Sequence, residues 1–152
     1  MKCRIILELL AILFFTGCYN REQISRLDEA EALIQNKPDS ALTILQQLKS
    51  EGSQAEQARY ALLYSEALDK NHIKATNDSL IRRAWEYYKH HPKDLRRQCK
   101  TLYYWGKVKL RAGDKPGALR LYLKVEEKLK DTNEPYYCLL YTSPSPRDGL
   151  LS

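Results

Sequence analysis

Glycine and proline are scarce in this chain of 152 residues, six of each. That excludes collagen-like and other glycine- or proline-rich fibrous classes. Four cysteines are too few for a dense disulfide framework. No C-x-x-C or Cys/His ligand spacing offers a zinc site. The three histidines are His72 and the adjacent His90 and His91. Neighbouring helical residues point in different directions, so the pair makes a poor metal clamp. No G-x-S-x-G, H-E-x-x-H, Walker loop or G-x-G-x-x-G occurs. The chain therefore reads as a non-enzyme with no cofactor and no metal. What is present is ordinary for a globular protein: 43% apolar and 29% charged residues. The net charge of +6 is mild, well short of a dedicated nucleic-acid footprint, and no direct nucleic-acid partner is expected. Eleven tyrosines against two phenylalanines are unusual.

The two termini stand apart from the middle. Lys2 and Arg4 form a short positive start, and Ile5 to Phe15 an apolar run broken only by Glu8. That run is too short for a mature membrane span and has the layout of a secretory signal over residues 1–17. The Thr16-Gly17-Cys18 sequence that follows resembles a bacterial lipobox, with Phe15 where an aliphatic residue is usual. The resemblance implies a diacylglycerol on Cys18, cleavage just before it, and a lipid-anchored start at residues 18–19. Two or more acyl chains suffice for stable anchoring. At the other end, residues 138–152 (CLLYTSPSPRDGLLS) carry a Ser/Pro cluster and no helical period. They resemble translated sequencing-adapter DNA, so a non-native, disordered tail and a reading frame truncated near Tyr137 are expected. Cys3 and Cys138 lie in these end segments, and Cys18 is the acylation position. No intrachain disulfide is then expected, and Cys99 reads as a small buried apolar residue.

Between them, apolar residues recur at helical spacing with no strand-like alternation. Ile24, Leu27, Ala30, Leu33 and Ile34 predict a helix over 20–36, ended by Lys37-Pro38-Asp39. Pro38 or Asp39 opens the next, with Ala41, Leu42, Ile44, Leu45 and Leu48 facing inward and Glu51-Gly52-Ser53 as its stop. A third runs from Ala55 to about Lys70, followed by a polar loop from Asn71 to Asn77. Asp78 is expected to cap a fourth, which His91-Pro92 stops. Leu95–Arg111 and Lys115–Leu129 are the fifth and sixth, joined by Ala112-Gly113-Asp114. Six helices in three hairpins are each too thin to bury both faces, and stacking them supplies a shared core. Acidic residues such as Asp28, Glu29, Glu31, Glu126 and Glu127 read as solvated. Most tyrosines sit at or beside stripe positions and read as packing groups with hydroxyls at the rim.

The third hairpin resembles a tetratricopeptide repeat. Leu102 stands at the first large position and Trp105-Gly106 at Leu-Gly. Ala118 stands at the small packing position, Tyr122 at the aromatic one and Val125 at the next small one. Lys109 and Lys130 depart from the usual Tyr and Pro, and Ala84 precedes Ala118 by the family period of 34 residues. The resemblance, with the lipobox, is to bacterial tetratricopeptide-repeat lipoproteins. It implies an all-α domain over residues 20–137, about three hairpins stacked as a right-handed superhelix. The function it implies is non-enzymatic. The domain would bind a protein or peptide at the bacterial cell envelope, on the periplasmic side or at the outer membrane, with the membrane reached through the lipid. Groove residues would come from the first helix of each pair, with Arg59 and Lys109 as candidates. An alternative expectation is an extracytoplasmic input module of a truncated signalling or transcription-regulator protein.

Overall fold

A computed structural model describes residues 21–130 and 132. The signal segment, Cys18, residues 133–137 and the 138–152 tail lie outside the described residues. Within them the chain is all-helical, with six helices and no strand. The helices are α1 (21–33), α2 (Pro38–Gln47), α3 (Gln54–Lys70), α4 (Ser79–Tyr88), α5 (Leu95–Arg111) and α6 (Lys115–Leu129).

The helix ends follow from local chemistry. Pro38 takes the first turn of α2, where its missing N–H costs nothing, and Asp39 complements the helix dipole beside it. Ser53 opens α3 in a capping box: its hydroxyl accepts from the Glu56 amide while the Glu56 carboxylate accepts from the Ser53 amide. Asp94 and Asp114 accept from the Arg97 and Gly117 amides at the starts of α5 and α6. Gly113 closes the α5–α6 turn at φ +84, a conformation that suits glycine. Asp78 stands at the start of α4 as expected, but its side chain makes no cap. Asn77 Oδ1 accepts the Ser79 amide instead, and the Asp78 carboxylate is spent on α5.

The hairpins do not keep separate cores. One apolar cluster joins Leu27, Ala30 and Ile34 of α1 and its C-terminal turn to Leu42 and Leu45 of α2 and to Leu63 and Ala67 of α3. A second joins Ala58, Ala61 and Leu62 of α3 to Ile81 and Ala84 of α4 and to Tyr104 and Val108 of α5. The third joins Cys99 and Leu102 of α5 to Leu121, Val125 and Leu129 of α6, with Trp85 of α4 packed against it. Helix α3 thus serves two clusters from opposite faces, and Trp105 touches the second and the third. Each hairpin is stabilised by apolar area buried against its neighbour, at about 25 cal/mol per Å². Within the last hairpin the helices close tightly at Gly106, where an added Cβ would stand 2.4 Å from the Tyr122 ring.

Candidate interaction face

Helix α3 packs on α2, α5 packs on both α4 and α3, and ion pairs carry α1 onto α3. The first helices of the three hairpins therefore lie side by side as one face. A ladder of charges crosses it, and the ladder has a direction: acids on the earlier helix meet bases on the later one. From α1, Asp28 lies 2.7 Å from Arg59 of α3. Glu31 accepts from Arg59 Nε at 2.9 Å and lies 3.6 Å from Arg97 of α5. From α3, Glu66 meets Lys100 at 2.6 Å, and Asp69 meets Lys107 at 2.6 Å and also Arg111. Gln35 completes the middle rung by donating to Glu66 Oε1 at 2.8 Å.

Burial and charge act against each other along this ladder. Burial disfavours the Arg59 and Arg97 cations, yet both are held above the ordinary arginine pKa. Hydrogen bonds donated to Asp28 and Glu31 do this for Arg59, and one donated to Asp94 does it for Arg97. Tyr88, beneath Arg97, is pushed up to about 12 by burial. Tyr104 is pushed up by burial and then by the neighbouring Glu66 and Asp69 charges. Between α1, α3 and α5 sits a cavity of about 110 Å³. Leu62 and Leu63 line it together with Glu31, Arg59, Arg96, Arg97, Lys100 and Asp94. It combines an apolar floor with charged walls of both signs. No group of His, Cys, Asp and Glu able to hold a metal ion occurs among the described residues.

Arg59 lies on this face, but its guanidinium is committed to Asp28 and Glu31. Lys109 lies away from it and reaches Asp78 at 2.9 Å and Asp114 at 3.8 Å. The two groove candidates are thus not brought together. Asp28 is exposed as expected and Glu31 is half-buried, and both belong to the ion-pair cluster around Arg59. Leu102 and Ala118 are fully buried, Val125 nearly so, and Gly106 lies under the Tyr122 ring. Trp105 is half-buried and donates to Asp78 Oδ2 at 3.0 Å. Sequence reasoning missed Glu66 and Asp69, which are 1% and 9% exposed. The signal was there: they stand four and seven residues after Leu62, on its face of the helix.

Comparison with protein-family models, with curated proteins and with solved structures gives no match. No described helix is long and apolar enough to cross a membrane.

Proposed function

We propose that this chain is a tetratricopeptide-like scaffold, its hairpins wound as a right-handed superhelix, which binds a protein or peptide partner. It is held at a bacterial envelope membrane by lipid on Cys18. The observation that carries the reading is the sharing of apolar clusters between successive hairpins, with α3 serving two of them. Shared clusters are the signature of a stack whose units cannot stand alone. Such a stack leaves its first helices exposed as an extended face, the kind of surface that repeat proteins use for recognition. The half-exposed Glu31 and Arg97 on that face suit a partner of mixed charge.

The experiment places a photo-crosslinking residue at Arg96, beside the cavity, and at Thr43, on the exposed side of α2, in the full chain within a bacterial envelope. A discrete protein adduct from position 96 and none from 43 supports the reading. Equal adducts from both, or none from either, overturns it. The tether has its own test: radioactive palmitate should label the chain, and Cys18→Ser should abolish the label.

A further inference from the structure

The geometry points to the outer side of α6 as a stripe that lies on a membrane surface and engages anionic lipid headgroups. Large exposed apolar side chains are few among the described residues, and two of them, Leu119 and Leu123, stand one turn apart on α6 at 36% and 50% exposure. Helical spacing puts Lys115 and Lys130 in line with them, and Arg120 and Lys124 on the adjoining line. All four cations are exposed; Glu127 is an exposed acid among them, and the half-buried Glu126 stands on the leucine line three residues after Leu123.

The pairing pattern distinguishes this stripe from the rest of the basic surface. On α5, Arg97, Lys100, Lys107, Lys109 and Arg111 each face a carboxylate. On α6, Lys115, Arg120, Lys124 and Lys130 have no ion-pair partner among the described residues. Four cations without an ion-pair partner among the described residues, around two leucines, match the boundary between headgroups and acyl chains. The charges stay in the phosphate layer and the leucines reach below it.

Topology adds a second argument, which rests on the tether proposed above. Gln23 near the start of α1 donates to Lys49 and Glu51 carbonyls just past α2. Lys128 near the end of α6 donates to Gln98 near the start of α5. Arg83 of α4 donates to Ser50 just past α2, and Gln98 donates to the Tyr88 carbonyl at the end of α4, so the first described turn of α1 and the end of α6 share one end of the helix array. Cys18 lies three residues before Arg21, so a lipid there would keep that end within about 10 Å of the bilayer. A weak surface contact becomes effective once it is intramolecular.

The test uses the full chain carrying Leu123→Trp as a reporter, with the emission of the unsubstituted chain subtracted for Trp85 and Trp105. Vesicles with brominated acyl chains are made from phosphatidylcholine alone or from phosphatidylglycerol alone. The reporter should be quenched on phosphatidylglycerol only, and high salt should release it. Adding Arg120→Gln and Lys124→Gln should weaken the quenched state about twenty-five-fold, roughly fivefold per cation. Equal quenching on both lipids, or none on either, overturns the inference. So does a blue shift that grows with protein concentration without lipid, which would mark self-association. Palmitate labelling of the same preparation is read alongside: a labelled chain whose reporter is not quenched overturns the stripe, whereas loss of labelling counts against the tether at Cys18.

Discussion

Lys100 Nζ lies 2.6 Å from Glu66 Oε2, in a site where the lysine side chain is 10% exposed and the glutamate 1%. This pair spans α3 and α5 at the centre of the charge ladder. Taking two charges out of water is costly, and their attraction repays it only while both are present. Lys100→Met should therefore cost about 3–5 kcal/mol, because it strands a buried carboxylate. Lys100→Met with Glu66→Leu should recover most of that loss, since an apolar pair of similar size fits the same space. Urea unfolding of the two variants checks this. A loss below about 1 kcal/mol for the single variant would reduce the pair to the standing of a surface ion pair.

Gly106→Ala tests the tight contact inside the last hairpin. Its Cβ would meet the Tyr122 ring at 2.4 Å, close enough that something must shift. Ring and helix are packed on several sides, so the expected loss is about 1–3 kcal/mol despite the better helix propensity of alanine. Gly106→Ala combined with Tyr122→Leu should regain part of it. The Tyr122 hydroxyl is itself buried with no hydrogen-bond partner among the described residues. Tyr122→Phe alone should then leave thermal stability unchanged or raise it by about 1 kcal/mol.

Much of this architecture was readable from residue order because its determinants are local. Pro38 and the Ala112-Gly113-Asp114 turn mark helix ends within a few residues of where they act. The apolar stripes named most of the buried apolar residues for the same reason, although Ile24 is exposed and Leu48 only half-buried. The ladder was not readable, since its partners are far apart in sequence: Glu31 and Arg59 by 28 residues, Asp69 and Arg111 by 42. Nothing near Arg59 says that Asp28 and Glu31 will neutralise it. Asp78 shows the same limit at a single residue. Its position announces a cap, while its carboxylate is drawn away by Trp105 and Lys109, which come 27 and 31 residues later.

His72 offers a test of backbone strain. It follows α3 at φ 58, a left-handed conformation that glycine adopts without a Cβ penalty. The turn is needed there, because it lets the Ile73 amide reach the Leu68 carbonyl at 2.9 Å and close the helix end. His72→Gly should raise stability by about 0.5–1 kcal/mol, read as a higher urea midpoint with an unchanged slope. A lower midpoint would mean that the imidazole makes a compensating contact.

Asp78 supplies the pH prediction. Partial burial works to raise its pKa, but hydrogen bonds from Lys109 and Trp105 outweigh that and hold the carboxyl below the ordinary aspartate value. A group whose pKa is lower folded than unfolded contributes stability above the unfolded value, near pH 4, and loses it as pH falls through the folded one. Acidification should accordingly weaken the contact between the start of α4 and α5 only below about pH 4. The indole of Trp105 reports it directly, since its N–H donates to this carboxylate. A fluorescence change is expected in that range, with Trp85→Phe used to isolate the signal. Asp78→Asn should remove both the change and this share of the acid-linked stability loss. A titration that stays the same in Asp78→Asn would assign the acid response to the ladder carboxylates instead.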